Sequence, residues 1–360
     1  MTLPTLGVVI VTFNAADVIL DCLESLLVAK GVQLRIVIVD NASTDATVAT
    51  LRDWAAGRVP YAPPDDMPFA LTPCPKPVAL QPAMAGASVA VPRPDGHDLT
   101  LIETGLNGGF AAGVNRGLAH LARQTGTDRF WILNPDSVVP PATPRAFATE
   151  PGPKGGFSLM GGRVIYLETP DQIQIDGGLI DWRSGVTHNK NQYLSPASTP
   201  APDPAGFDFI MGASMVASRA FYAAAGPLAE DYFLYYEEVD WALRRGDLAL
   251  AYCPGGVIYH RAGSAIGSPS PGRTASVFSL YFKHRGRLRF IRRFRKGRLP
   301  GALAYSLAKA AQLLLKGEGR GAWTILLASV GGPPPREVRA RLSPQAAALA
   351  FRRGSARGPD

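Results

Sequence analysis

Cysteine is scarce: Cys22, Cys74 and Cys253 are the only three in 360 residues, far apart and with no CxxC pair. That spacing excludes a disulfide framework and a thiolate zinc site, and predicts a reducing, cytoplasmic compartment. Long apolar runs are missing as well. No stretch of 18 uninterrupted apolar residues occurs, and the best attempt, 299–315, carries Lys309 in its middle, so no membrane-spanning helix is expected. The first residues lack the basic start and cleavage site of a secretory leader, and none is expected. Glycine is absent from the turn after the first apolar run, Thr12-Phe13-Asn14-Ala15-Ala16-Asp17. Dinucleotide-dependent enzymes and nucleotidyltransferases need a Gly-rich phosphate loop there, which disfavours both. Acid is nearly absent from the C-terminal quarter: from residue 273 onward there are 19 Lys+Arg against 3 Asp+Glu. The net charge of +8 is therefore a property of the tail.

What is present reads as a globular α/β chain, 46% hydrophobic and 18% charged, large enough for a sizeable core. Three short apolar runs, 7–11, 36–39 and 130–133, each end in a polar or acidic cluster, and helical periodicity flanks them. Such runs read as buried parallel strands, and ligands in open α/β sheets bind beyond the carboxyl ends of strands. Asn14, Asp40 and Asp136 are thereby expected along one rim. Further strands are expected near 99–103, 162–167, 178–180 and 257–259, with helices over 15–28, 111–123, 218–225 and 237–245. Residues 58–98 are rich in proline, sparse in charge and without period, which predicts a long loop or a partly ordered insertion. The domain reading is 1–272 as the α/β unit and 273–360 as a basic helical extension.

Residues 273–298 hold ten Lys+Arg and no acid, interleaved with aromatic and aliphatic residues. A basic amphipathic segment of this kind suits an anionic membrane surface. The alternative is a helix packed on the main domain by its aromatic face; nucleic acid is a weaker match and is not expected as a partner.

Several residues can carry chemistry. Asp136, in Asn134-Pro135-Asp136, follows a strand and can reach a hard divalent cation, or can cap a turn. His260 follows 257–259 and can complete a metal site, or serve as a hydrogen-bonded structural histidine. The segment 230–241 concentrates acids among aromatics. Adjacent carboxylates in apolar surroundings have a raised pKa in one member, which suits a general base. Glu237, Asp240 and Arg244 share a helix face and can pair.

The ordered series Thr12-Phe13-Asn14, Asp40-Asn41-Ala42-Ser43, Asn107-Gly108-Gly109-Phe110 with Asn115, Asn134-Pro135-Asp136, Gly212-Ala213-Ser214, Tyr235-Tyr236-Glu237-Glu238 and His260 resembles the family-2 glycosyltransferases of GT-A fold. Within that family it is similar to the bacterial rhamnosyltransferase-like branch, and the match covers about residues 5–265. The resemblance implies a Rossmann-like fold with a mixed central sheet. It implies an inverting, metal-dependent transfer from a nucleotide-diphosphate sugar, first of all dTDP-rhamnose, to a glycan or lipid-linked saccharide. Such an enzyme is expected to act in cell-surface polysaccharide synthesis, at the cytoplasmic membrane face. Thr12, Phe13, Asn14, Asp40 and Asn41 would then hold the nucleoside. Asn107, Gly108, Gly109, Phe110 and Asn115 would shape the ribose and diphosphate side, with Asn134 at the donor. Asp136 and His260 would bind Mg²⁺ or Mn²⁺. Gly212, Ala213 and Ser214 would floor the sugar and acceptor region, and Glu238 or its neighbour Glu237 would be the base. The chain departs from the family's pattern at Asn134, where an acid is usual, and at Glu238, where Asp is commoner. A non-catalytic nucleotide-binding relative is the alternative.

Overall fold

A computed structural model describes residues 3–83, 97–261 and 275–352. Its first half runs β1 (Thr5–Thr12), α1 (Ile19–Leu27), β2 (Gln33–Asp40), α2 (Thr47–Ala55), β3 (Leu80–Pro82), β4 (His97–Glu103), α3 (Phe110–Ala122) and β5 (Arg129–Leu133). The second half follows with β6 (Ser137–Val138), α4 (Thr143–Thr149), β7 (Phe157–Tyr166), β8 (Ile173–Ile175), β9 (Gly178–Asp181) and β10 (Val186–Asn189). Then come β11 (Ser214–Ser218), α5 (Arg219–Ala225), α6 (Glu237–Leu243) and β12 (Ala249–His260). Helices α7 (Val277–Phe294), α8 (Leu299–Leu315), α9 (Gly319–Val330), α10 (Arg336–Arg339) and α11 (Pro344–Ala350) complete the chain.

Among the described residues one mixed sheet has the order β3-β4-β2-β1-β5-β11-β7-β12-β6, with β8 paired to β7, and β9 and β10 form a separate hairpin. Strands β1, β2, β4 and β5 are parallel, so Thr12 and Asp40 sit side by side and Leu133 is in register with Ile10. The expected rim therefore exists. Alternation along β1 sends Val8 and Ile10 to one face, under α1 and α2, and Val9 and Val11 to the other, under α3. Both faces are covered, which is why these strands read as continuous apolar runs.

The basic segment needs one correction, and the described part of 58–98 is a loop tied to the main unit at several points. Lys76 bridges buried Glu24 at 2.6 Å and lies over the Trp54 ring, Tyr61 donates to Asp21, and β3 adds an edge strand to β4. The strand β4 also begins earlier than expected, at His97, while residues 84–96 of the segment lie outside the described residues. The basic segment 273–298 turns inward, apart from 273–274, which lie outside the described residues. Phe278, Phe282, Leu288, Phe290 and Ile291 of α7 are buried, and the last three join the core cluster of the sheet. Its cations are used internally: Arg293 bonds Asp240 at 2.6 Å, Arg289 pairs with Asp231, and Arg287 donates to Ser184 O and Ser306 Oγ. The aromatic face packs on the main unit, and most of the charge that suggested a membrane goes with it.

Candidate active site

Beyond the carboxyl ends of β1, β2 and β5 opens a cleft of 830 Å³. Phe13, Asn14, Asn41, Asn107, Gly109, Phe110, Asn134, Asp136, Gly212, Ala213, Glu237, Glu238 and His260 all line it. All thirteen are residues that the sequence reading names. Five of its choices are not on this wall. Thr12 and Asp40 sit beneath the rim: the Asp40 carboxylate accepts from Thr12 Oγ1 at 3.0 Å, Ser43 Oγ at 2.5 Å and Ser43 N at 2.9 Å. Those bonds shape the turn after β2. Asn115 is buried away from the cleft, gripping Leu228 through both its backbone groups and donating to Glu230. Ser214 is buried as the acceptor for Trp131 Nε1. Gly108 also lies off the wall, in the turn that Asn107 closes by accepting from Gly109 N.

The rim is stitched by polar side chains. Asn14, in left-handed backbone at φ 54°, accepts from Thr44 N at 2.8 Å and so ties the end of β1 to the end of β2. Asn41 donates to Gly109 O at 2.8 Å and ties β2 to the start of α3. Gly109 has φ 90°, and a Cβ there would meet Phe233 O at 2.3 Å, so only glycine lets this loop touch the segment that brings the acids.

That segment is strained. Phe233, Tyr235 and Tyr236 have φ of 66°, 66° and 74°, costing about 1–3 kcal/mol each. Helix α7 holds them there. Phe233 stacks on Phe282 at 5.1 Å, Tyr235 OH meets Ser279 Oγ at 2.8 Å, and Gly286 lets the helix reach within a methyl's width of Tyr235 O. Tyr236 OH donates to Gly185 O. The strained turn delivers Glu237 and Glu238 at the start of α6, into the cleft. Of the expected helix-face trio, Asp240 and Arg244 pair at 3.0 Å, with Tyr232 and Arg293 also on Asp240, whereas Glu237 stands apart.

Glu237 is 3% exposed, and its Oε2 has no hydrogen-bond partner among the described residues. Burial, and then the neighbouring Glu238 charge, push its carboxyl well above the usual range. Glu238 is half-buried and also raised by burial, but backbone N–H groups of the helix start and the Lys283 ammonium pull the other way. Lys283, from α7, lines the same cleft and makes no hydrogen bond or ion pair with the described residues. Burial lowers its own pKa and Glu238 opposes that. Glu238 packs over Gly212, where an added Cβ would lie 3.7 Å from its own Cβ.

Opposite lies a second cluster. His260 Nδ1 meets Gln174 Oε1 at 2.9 Å, which as a donor bond leaves the Nε2 lone pair facing the cleft. Nε2 lies 3.2 Å from Asp136 Oδ1 and 3.2 Å from Asn134 Nδ2. A carboxylate and an imidazole with converging lone pairs, the imidazole fixed by an outer partner, fit a divalent cation. No group of three His, Cys, Asp or Glu side chains converges among the described residues, so remaining positions would fall to diphosphate or water.

The sequence reading missed two parts of the wall. From the tail come Lys283, Phe278, Arg341 and Leu342; from the β8–β10 region come Gln174, Thr187, His188 and a stacked pair, Tyr166 and Tyr193, 5.8 Å apart. The tail's inward packing has no local signature, and the hairpin residues lack a period.

The unit is a mixed α/β sheet of GT-A type whose strand ends hold an Asp–His pair opposite a carboxylate pair. Residues 7–65 match the model of glycosyl transferase family 2. The chain is 25% identical over 167 residues to the low-salt glycan biosynthesis hexosyltransferase Agl10 of Haloferax volcanii, covering 43% of this chain and 50% of that one. It is 24% identical over 208 residues to an N-acetylglucosaminyl-diphospho-decaprenol L-rhamnosyltransferase of Mycobacterium tuberculosis, covering 51% and 66%. The matches thus span about half and about two thirds of those relatives' lengths. Among solved structures it is similar to a mannosyltransferase of Pyrobaculum calidifontis (16% identity, TM-score 0.49, 92% and 87% coverage). A second similarity is to Staphylococcus aureus TarS (12% identity, TM-score 0.46, 96% and 88%).

Proposed function

We propose that the cleft transfers a sugar, with inversion, from a nucleoside-diphosphate donor to a hydroxyl of a saccharide acceptor. The observation that carries this reading is the placement of Glu238, beside Gly212, in one cleft with the Asp136–His260 pair. Glu238 removes the proton of the acceptor hydroxyl as its oxygen attacks the anomeric carbon; the bond from that carbon to the diphosphate oxygen breaks on the opposite face. Glu237, protonated and without a partner at Oε2 among the described residues, donates a hydrogen bond to a sugar oxygen. Asn14 and Asn41 hold the strand-end turns against which the nucleoside lies, and Asp40 supports them from below. Asp136 and His260 would hold Mg²⁺ or Mn²⁺, which when bound supplies charge neutralisation for the departing diphosphate.

The donor is proposed as dTDP-rhamnose, and the acceptor as a lipid-linked saccharide or glycan. The mycobacterial rhamnosyltransferase, named for an L-rhamnosyl group and an N-acetylglucosaminyl-diphospho-decaprenol acceptor, supports the sugar and the acceptor class. Thermal shift against a panel of nucleotide sugars with Mn²⁺ tests the donor, because a ligand that binds only the folded state raises Tm. The largest shift is expected from dTDP-rhamnose. A larger shift from a UDP- or GDP-sugar contradicts that choice, and no shift from any donor contradicts the transferase reading.

A further inference from the structure

Nine large hydrophobic side chains are exposed among the described residues, and five of them belong to α8 and α9: Leu307 at 59%, Leu314 at 57%, Leu315 at 90%, Trp323 at 60% and Val330 at 77%. They are not scattered. Leu307 and Leu314 are seven residues apart, as are Trp323 and Val330, so each pair lies on one helix face. The buried face of α8, with Ala302, Ser306, Ala310 and Leu313, lies about a quarter-turn from Leu307 and Leu314 and opposite Leu315, and Ala310 and Leu313 pack on Ala322 and Ile325 of α9. The hairpin therefore has one face committed to the protein and one apolar face turned outward.

Cations bracket that face. Lys296 and Arg298 are exposed just before α8, and Lys316 and Arg320 at the α8–α9 turn. Arg320 has only an exposed contact with Glu337 at 3.4 Å, a pair worth little in water. Across 295–332 the only acid is Glu318. We propose that the outward face of the α8–α9 hairpin lies on an anionic lipid surface. Leu315 and Trp323 enter the headgroup boundary, and the flanking cations meet lipid phosphates. Charge complementarity favours this occupant over a second copy of the chain, because a symmetric contact through this face would bring like charges together. The hairpin lies on the surface and does not cross it: no described helix is long and apolar enough to span a bilayer. The inference is independent of the reaction proposed above, and it places membrane contact outside the inward-turned α7.

The test is co-sedimentation of the full chain with vesicles of phosphatidylglycerol and phosphatidylethanolamine, and with phosphatidylcholine alone. Wild type is expected to partition onto the anionic vesicles and at least about ten-fold less onto the neutral ones. The double variant Leu315→Glu/Trp323→Glu, at exposed positions, is expected to lose about ten-fold or more of the anionic binding with an unchanged circular dichroism spectrum. Lys316→Glu/Arg320→Glu is expected to weaken it and to remove its salt dependence in part. Wild type remaining in the supernatant, or both variants sedimenting like wild type, overturns the proposal. So does a wild-type dimer in analytical ultracentrifugation that the Leu315→Glu/Trp323→Glu variant turns into monomer, because the face would then be an interface between copies.

Discussion

Glu237 and Glu238 are neighbours in the chain yet meet different surroundings. The first is enclosed, with an oxygen that has no partner among the described residues; the second faces the Lys283 ammonium across the cleft. Because both carboxyls are raised, activity that needs ionised Glu238 is lost as pH falls through that raised value. Lys283 holds the value down, so Lys283→Met is expected to move the acidic limb of kcat/KM to higher pH, and Lys283→Arg to leave it near wild type. An unmoved limb in the methionine variant would show that Lys283 does not tune the base. His260 makes a second residue-scale prediction. Gln174→Ala removes the acceptor that fixes its Nδ1 proton, and Mn²⁺ affinity should fall about 10- to 100-fold, measured by titration calorimetry.

At the scale of elements, the acid-bearing turn and α7 form one device. Three aromatic residues in left-handed backbone do not stay there unaided, and α7 supplies the stacking, the hydrogen bond and the close approach that hold them. Gly286→Ala would place a methyl 2.7 Å from Tyr235 O. It should cost about 1–3 kcal/mol of stability, read by urea unfolding, and lower kcat more than it raises KM for the donor. An alanine variant with wild-type stability and rate would separate α7 from the turn. None of this was legible in the sequence. The strand-end motifs were, because a buried parallel strand leaves a continuous apolar run that stops at the rim. Helix α7 offered a basic, aromatic segment that suited two environments equally, and the choice lay in partners such as Asp240, Asp231 and Ser184, which tertiary packing alone brings to it.

For the whole molecule, the boundary drawn near residue 272 divides the chain by composition but not by packing. Leu288, Phe290 and Ile291 bury in the same cluster as Val9 and Val11 of β1. Ending the chain at 272 removes them, at about 1.5–3 kcal/mol for each large side chain. Against a usual total of about 5–15 kcal/mol, the shortened chain is expected to lose its cooperative thermal transition, and a sharp transition at the wild-type Tm would contradict the single core. The candidate site follows the same logic. The proposed donor side lies along the first strands, whose end motifs are legible in the sequence. The base needed the fold to bring α6 back across the sheet, and Asp40 and Asn115, matched by type, proved to brace the rim rather than line it.

The central claim, that an ionised Glu238 is the base beside a neutral Glu237, is tested most directly by comparing transfer rates of Glu238→Gln and Glu237→Gln at saturating donor. Glutamine mimics a protonated carboxyl. Glu238→Gln should therefore lose about 10²–10⁴ in kcat while still binding donor, and Glu237→Gln should keep most of the wild-type rate. The reverse order, or equal and small losses in both variants, would contradict the account.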